Sequence, residues 1–325
     1  MKQLIKNERG FALILTILVI SLIVALTLQF NRTMRSDLYS AANLKDGVRL
    51  TSIARSGFAF SLAVLLKDAS ENDFDTLNEA WADSESLSSV LTSLFDDGNL
   101  DVRIIDHSGR ININQLIDQN GDFNPAQENI LTRFLNSEQF GLDPEDVSNI
   151  IDAIKDWIDP DDEVTRFGAE NSYYMAKEKP YSCKNGKLDF PEELLFVRGI
   201  TRELFYGTKD NPGISAYLTT HGDGKMNINT AHPVVLSHLS DQIDQGMLEN
   251  MVEYRADEKN DLKDVKWYNK VPGMSDIAID SGLVTTASTN FEIIAEGIKD
   301  SMRKLITAMV ERKDGKFRIL SWKTE

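Results

Sequence analysis

The sequence predicts an α+β fold in which one very long N-terminal helix is followed by helical segments and, at the end, by antiparallel strands. The first part of the chain has apolar residues at helical spacing, whereas the last part alternates apolar and polar residues as strands do. Helices and strands segregated along a chain in this way are typical of α+β proteins. The chain has 325 residues, enough for a membrane anchor and about two domains of ordinary size.

The first element is an uncharged stretch of twenty residues, 11–30, which follows a basic segment with Lys2, Lys6 and Arg9. A helix of this length extends about 30 Å, the thickness of the hydrocarbon core of a bilayer. No other part of the sequence is as apolar, so we predict a single transmembrane helix. The positive-inside rule keeps the basic segment in the cytoplasm and directs the rest of the chain to the far side of the membrane.

The position of Gly10 indicates the kind of anchor. The apolar stretch is longer than the roughly 7–15 residues of a secretory signal peptide, and the small residue precedes it instead of following it. This order resembles the class III signal of type IV pilins and type II secretion pseudopilins. The resemblance implies that a prepilin peptidase cuts after Gly10 and N-methylates Phe11. An ordinary signal anchor with a chance glycine is the alternative.

The fifth residue after Gly10 departs from the usual pattern of these families. Pilins of this type usually carry a glutamate there, whereas this chain has Leu15. A carboxylate in lipid costs about 2.5–3.5 kcal/mol and is kept only where a partner meets it. Among the pseudopilins, the K-type minor subunit is the one known to lack this glutamate. Leu15 therefore points to one type within the family.

Helical spacing continues beyond the apolar stretch. An apolar stripe runs from Leu38 to Leu65, and no proline occurs before Pro125. We therefore predict one helix over residues 11–68, apolar all round in its first half and amphipathic in its second. Residues 69–98 are expected to form a loop and a short helix, with Trp81 as a packing anchor.

Two similar segments, residues 106–114 and 221–229, each run from a turn to Asn-Ile-Asn. Both are predicted to be strand-to-helix corners, with Asn114 and Asn229 as helix N-caps. Further helices are expected at 129–135, 144–158 and 191–206. Strands are expected at 291–297, 303–312 and 317–322, and Asp314-Gly315 is a hairpin signal.

The densest polar constellation in the chain lies between residues 156 and 170. It contains the following acidic residues: Asp156, Asp159, Asp161, Asp162, Glu163 and Glu170. Carboxylates this close together repel one another unless a cation neutralises them, and Ca²⁺ takes six to eight oxygen ligands. A solvated acidic loop is the alternative. A second oxygen-rich segment, 118–124, resembles half an EF-hand loop but is better explained as an Asn-Gly turn.

Composition argues against several classes of function. The net charge of −16 repels phosphate backbones, and the helix-hairpin-helix-like turns at 194–201 and 271–275 lack clustered basic residues. We therefore expect no nucleic-acid binding. The four histidines are not paired with a nucleophile by any motif, so we expect no enzymatic activity. The single cysteine, Cys183, cannot form an intrachain disulfide.

Five further stretches extend the resemblance to the K-type minor pseudopilins over most of the chain: Arg110–Asn114, Asp156–Asp159, Gly168–Glu170, Tyr181 and Glu193–Gly199. The resemblance implies a type IV pilin-like fold, a long N-terminal helix packed on an antiparallel sheet, with a large inserted helical domain. It implies calcium bound by the acidic loop, with Asp159, Asp161, Asp162 and Glu170 as ligands. It also implies a non-enzymatic subunit at the tip of the type II secretion pseudopilus, in a complex with the I- and J-type minor pseudopilins.

The predicted organisation follows from this resemblance. Residues 1–10 are the leader, 11–30 the transmembrane helix, 31–113 the spine and first strands, 114–220 the inserted domain, and 221–325 the strand corner, helices and final strands. The protein is expected in the bacterial inner membrane, with its C-terminal part in the periplasm. Its partners would include the prepilin peptidase and other inner-membrane secretion components. The alternatives are a K-like minor pilin of a type IV pilus and a membrane-anchored periplasmic metal-dependent hydrolase.

Overall fold

The structure, a computed structural model, describes residues 8–209 and 211–325. Its helices are α1 (Glu8–Glu71), α2 (Ser84–Thr92), α3 (Pro125–Leu135), α4 (Pro144–Ile158), α5 (Asn171–Met175), α6 (Arg202–Tyr206), α7 (Pro233–Leu236) and α8 (Gln245–Ala256). Its strands are β1 (Asn99–Asp106), β2 (Ile111–Asn112), β3 (Leu218–Thr219), β4 (Met226–Asn227), β5 (Val284–Thr285), β6 (Asn290–Lys299), β7 (Met302–Lys313) and β8 (Lys316–Thr324).

Helix α1 is a single helix of 64 residues, which confirms the continuous helix predicted over 11–68. Its side chains are exposed from Phe11 to Leu44, whereas Leu50, Ile53 and Phe58 are buried further along. Among the described residues, α1 is the one helix long and apolar enough to cross a membrane. Residues 1–7 of the predicted leader lie outside the described residues, and Gly10 lies within α1.

Four antiparallel strands form the main sheet, in the order β1-β6-β7-β8. One face of this sheet packs against the upper half of α1. The approach is close because a glycine faces the helix: a Cβ on Gly297 would lie 2.5 Å from the carbonyl oxygen of Leu50. The predicted C-terminal strands are confirmed, and the β7–β8 hairpin turns at Asp314 and Gly315, both with positive φ.

Between β1 and β6 the chain leaves the sheet and builds a second, larger unit, residues 107–289, here called the inserted block. Its apolar core includes buried residues from Ile111 to Val284, while a separate core between α1 and the sheet includes Leu50, Trp81 and Val310. The larger core therefore continues across residue 220, where the sequence analysis places a boundary.

The two Asn-Ile-Asn corners differ from their predicted form. The first asparagine of each, not the second, caps the turn: Asn112 Oδ1 accepts from the Asn114 amide at 3.0 Å, and Asn227 Oδ1 from the Asn229 amide at 2.9 Å. Asn114 instead crosslinks distant loops by donating to the carbonyl of Leu188. The N-cap prediction was wrong because the buried side-chain amides of Asn114 and Asn229 hydrogen-bond to backbone carbonyls of distant loops.

The helix predicted over 191–206 is also interrupted. Residues Pro191–Phe196 form a 3-10 helix, Val197 is extended, and α6 begins only at Arg202. Gly199 lies between them with a φ of +87°, a conformation that favours glycine and ends helical geometry. The apolar residues between 191 and 206 have helical spacing, but the turn at Gly199 divides the segment into two short helices.

Candidate metal centre

The acidic loop begins where α4 is forced to end. Asp159 follows Ile158 with φ −78° and ψ 162°, an extended conformation imposed because the next residue is Pro160. The loop returns at Glu170, which is extended and directly precedes α5. Both Asp159 and Glu170 are buried, so the two ends of the loop place carboxylates inside the protein.

Two other buried carboxylates fix the path of the loop. Asp156 Oδ1 accepts from the backbone N–H of Thr165 at 3.0 Å, and Asp152 Oδ2 accepts from the backbone N–H of Phe167 at 3.2 Å. Gly168 packs against them so closely that a Cβ would overlap the Asp156 carboxylate. These contacts hold residues 159–170 in one arrangement.

Three of the four predicted ligands converge in this arrangement. One carboxylate oxygen each from Asp159, Asp161 and Glu170 lie within 4.8 Å of one another. Calcium–oxygen bonds are about 2.3–2.6 Å long, so oxygens on opposite sides of one ion are about 5 Å apart. We call these three residues the carboxylate triad; its spacing suits a single Ca²⁺ ion.

The fourth predicted ligand, Asp162, lies outside this group. Its Oδ1 accepts from the side-chain amides of Asn171 at 2.7 Å and Asn185 at 3.1 Å. The sequence analysis missed Asn185, which has φ +47° and also donates to the Asp161 carbonyl at 2.5 Å. The dipeptide Asn185-Gly186 is a turn signal that could have drawn attention to it.

Several oxygens of the site are buried without a hydrogen-bond donor. They are Asp159 Oδ1, both carboxylate oxygens of Glu170, and the amide oxygen of Asn185. Lys155 compensates only in part, since its Nζ contacts the other Asp159 oxygen at 2.6 Å. Buried acceptors are nearly always satisfied in proteins, and leaving one unpaired costs about 1–3 kcal/mol. The oxygen set therefore fits a hard cation.

The pKa values of the triad carboxylates also favour a bound cation. Burial, followed by repulsion from Asp156, Asp159 and Asp162, raises the pKa of Glu170 to about 8. Burial likewise raises the pKa of Asp159. A cation reverses both effects because it favours the charged carboxylates.

The chemistry of the donors favours calcium over softer metals. All the converging atoms are oxygens, which suit Ca²⁺. Cys183 lies nearby, with Sγ 3.4 Å from the Asp156 carbonyl, but burial raises the pKa of its thiol to about 12. A thiol that holds its proton is not a metal ligand.

A second acidic group lies at the top of α1 and consists of Asp68, Asp75 and Glu79, whose carboxylate oxygens also lie within 4.8 Å of one another. We call it the arginine-paired cluster because Arg312 reaches Asp75 at 2.5 Å and Asp68 at 3.3 Å. Glu79 accepts from the indole N–H of Trp81 at 2.8 Å. Arg312 thus offsets part of the negative charge of this cluster from within the chain.

The remaining oxygen-rich motif has a local explanation. Asp118 Oδ1 accepts from the backbone amides of Asn120 at 2.8 Å and Asp122 at 3.1 Å. This confirms the predicted Asn-Gly turn, since Gly121 has the positive φ that such a turn requires.

Comparisons with known proteins show which proteins this chain resembles. A family model described as type II secretion system protein K matches residues 109–209. The chain is similar to type II secretion system protein K of Pseudomonas aeruginosa, at 27% identity over 97% of this chain and 92% of the relative. It is also similar to protein K of Aeromonas hydrophila, at 26% identity over 70% of this chain and 69% of the relative. The resemblance to the K-type minor pseudopilins is confirmed.

A solved structure agrees with the fold expected of a K-type pseudopilin. The chain matches one in the crystal structure of the GspK-GspI-GspJ complex of the enterotoxigenic Escherichia coli type 2 secretion system. The TM-score is 0.70 at 17% identity, over 88% of this chain and 99% of the other. The pilin-like α+β fold is thereby confirmed. Nothing in the comparisons favours the metal-dependent hydrolase.

Proposed function

We propose that this chain is a non-enzymatic minor pseudopilin of a type II secretion system. The observation that carries the proposal is its similarity to a curated K protein over 97% of its length. Its single apolar helix anchors it in the inner membrane, and the acidic remainder lies in the periplasm. The two units of the fold, a helix-and-sheet spine and the inserted block, are structural parts that need no catalytic group.

We place the subunit at the tip of the pseudopilus. The inserted block leaves the sheet between β1 and β6, so the spine carries a unit much larger than a simple loop. Leu15, in the uncovered half of α1, offers no carboxylate for a neighbour above it. A subunit with a bulky upper unit and no such carboxylate is suited to begin or cap a filament.

The proposed partners are the I- and J-type minor pseudopilins. The matched crystal structure is of a GspK-GspI-GspJ complex, and this chain has the same fold. The uncovered part of α1 presents exposed apolar side chains, including Leu38 and Leu44, beyond the twenty residues needed to cross a membrane. Exposed apolar residues in a stripe of this kind mark an interface between helices.

Co-purification of the full chain with its I- and J-type partners in detergent tests this assignment. Leu44, at 71% exposure, is changed to Asp; Leu94, at 70% exposure after α2, is changed to Asp as the matched control. We expect Leu44→Asp to reduce recovery of the complex about tenfold or more and Leu94→Asp to leave it unchanged. Failure of the unaltered chain to recover either partner would contradict the proposal.

We further propose cleavage after Gly10 and N-methylation of Phe11. Gly10→Leu places a branched side chain at the scissile position, and Gly47→Leu makes the same change in α1 where nothing lies within 4 Å of an added Cβ. The first variant should keep the leader and lose secretion, whereas the second should be processed. Normal processing and secretion in Gly10→Leu would overturn this step.

Calcium is the ion we propose for the carboxylate triad, with Asp159, Asp161 and Glu170 as ligands. Asp162 contributes negative charge and orients Asn185, whose unpaired amide oxygen is a further candidate ligand. Bound calcium would neutralise the acidic loop and fix it between α4 and α5. Calorimetric titration of the metal-free full chain with Ca²⁺ tests this, and absence of saturable binding would refute it.

A further inference from the structure

A cavity of about 610 Å³ lies between the main sheet and the inserted block, away from the carboxylate triad. The sheet contributes residues of β6, β7 and β8. One of them, Trp322, packs its ring edge-on against Phe58 of α1, with 4.8 Å between the ring centres. The block contributes the loop after β3 and the segment around α6. A volume of this size is within the range of sites that hold small ligands or a few residues of a peptide.

The cavity contains a cation whose N–H donors have no hydrogen-bond acceptor among the described residues. Arg110 lines it and is largely shielded from solvent; its guanidinium forms no hydrogen bond or close ion pair with any residue of 8–209 or 211–325, although Glu292 and Asp106 lie near enough to attract its charge. Arginine stays charged in proteins and presents five donors in a planar fork that matches a carboxylate. A guanidinium that faces a cavity without a hydrogen-bond acceptor therefore favours an anionic ligand.

Two acidic residues, Glu192 and Glu292, line the cavity, and Glu292 is engaged by a histidine. Glu292 Oε2 lies 3.3 Å from His107 Nε2, while His107 Nδ1 lies 3.4 Å from the Thr219 hydroxyl. This hydrogen-bonded set holds the Glu292 carboxylate against the imidazole. The N–H donors of Arg110 have no hydrogen-bond acceptor among the described residues, while its charge is attracted by Glu292.

Aromatic side chains form part of the cavity wall. Phe190 and Tyr206 line the cavity and are 54% and 51% exposed; Trp322 also lines it, with its ring held against Phe58 of α1. Exposed aromatic rings in the wall of a cavity are typical of surfaces that bind another protein. They offer contact to an apolar side chain next to the anionic group.

The neighbouring strand favours a peptide over a small acid. The cavity wall includes Ser321 and Lys323 of β8, and β8 is the edge strand of the sheet. The opposite edge is protected, since the hydroxyls of Ser88 and Thr92 bond the backbone amides of β1. No such cover is present along β8 among the described residues, so an extended segment can lie beside it.

We propose that this cavity binds an extended protein segment that carries a carboxylate next to an apolar side chain, with Arg110 as the carboxylate receptor. The carboxylate is either the C-terminus of the segment or an acidic side chain. Arg110 supplies a paired set of N–H donors, and the aromatic part of the wall holds the apolar side chain. The proposed site is distinct from the exposed apolar part of α1 that we assign to filament partners, because none of the residues lining the cavity belongs to that helix.

Fluorescence polarisation on the full chain in detergent tests the proposal with three rhodamine-labelled peptides. The first ends in Leu-Phe with a free carboxylate, the second is its C-terminal amide, and the third is an amide with Glu before the Phe. We expect saturable binding of the first or the third at about 1 mM or below, and at least tenfold weaker binding of the second. Binding of the first alone identifies a C-terminus, and binding of the third identifies an acidic side chain.

Variants assign the binding to Arg110. Arg110→Gln should weaken binding of the carboxylate peptides about tenfold or more, and Arg110→Lys, which keeps the charge but not the fork, should weaken it less. Arg103→Gln is the control, because Arg103 is exposed on β1 outside the cavity wall. The proposal is overturned if no peptide binds, if the amide binds as well as the acids, or if both Arg110 variants bind like the unaltered chain.

Discussion

The arginine-paired cluster and the carboxylate triad hold the same number of acidic residues at the same spacing, but they balance their charge differently. In the first, Arg312 bonds Asp75 at 2.5 Å and lies 5.0 Å from the centre of the Phe291 ring. In the second, Lys155 reaches one oxygen of Asp159, and both oxygens of Glu170 have no donor. An acidic cluster therefore indicates a metal site only where the chain leaves its oxygens unpaired.

The largest expected effect is the loss of the internal cation. Arg312→Leu leaves Asp75 buried and uncompensated, so we expect the free energy of unfolding to fall by about 3–5 kcal/mol. Urea denaturation of the full chain in detergent measures it. Arg318→Leu is the control, because Arg318 is 72% exposed in its pair with Glu311 and should cost about 0–1 kcal/mol. Equal effects of the two variants would mean that the pair inside the cluster is unimportant.

The second largest effect is expected from calcium, which should bind the carboxylate triad and not the arginine-paired cluster. Addition of Ca²⁺ at one hundred times its dissociation constant should stabilise the metal-free chain by about 2.7 kcal/mol. Glu170→Gln should weaken calcium binding about tenfold or more, because it removes a charged ligand of the triad. Glu163→Gln, in the same loop but outside the triad, should not. Thermal unfolding with Ca²⁺, and with Mg²⁺ for comparison, provides the measurement; a Glu170→Gln variant that responds like the unaltered chain would remove Glu170 from the site.

The free energy of unfolding of the metal-free chain should depend on pH because the carboxylates of the triad are buried close together. The pKa of Glu170 is raised from 4.5 to about 8 in the folded state. Between these two pH values the folded chain holds a proton on Glu170 that the unfolded chain has released. The contribution of Glu170 to the free energy of unfolding is therefore fully present below pH 4.5 and is lost as the pH rises through about 8.

Glu170→Gln isolates this contribution. The pKa of Asp68 is also raised, to about 7, mainly by burial, and it titrates in both proteins. The difference between the unaltered chain and Glu170→Gln should therefore grow with pH between about 5 and 8 without calcium, with the variant the more stable at the upper end. Denaturation at a series of pH values in chelator measures it, and a difference that is constant with pH would contradict the raised pKa.

The smallest effect is expected at Asp162. Asp162→Asn keeps an oxygen that can accept from Asn171 and Asn185, and Asp162 lies outside the triad. Calcium affinity should fall less than in Asp159→Asn, and the free energy of unfolding should change by less than about 1 kcal/mol. Calorimetric titration of the two variants compares them; a greater loss of affinity in Asp162→Asn would make Asp162 a direct ligand.

Much of this comparison could be predicted from local sequence. The long helix follows from apolar spacing without proline, and the acidic loop from the density of carboxylates on both sides of Pro160. Local patterns do not show which oxygens remain unpaired. Arg312 follows Asp75 by more than two hundred positions, and the N–H donors that occupy Asp162 come in part from Asn185. Long-range contacts of this kind also turned Asn114 and Asn229 from expected caps into crosslinks.

The central claim is that this chain is a membrane-anchored, processed minor pseudopilin, which the intact mass of the protein extracted from its native membrane tests most directly. The account predicts a chain that starts at Phe11 and carries one added methyl group. A chain that still starts at Met1 would contradict prepilin processing and leave the N-terminal helix as an ordinary signal anchor.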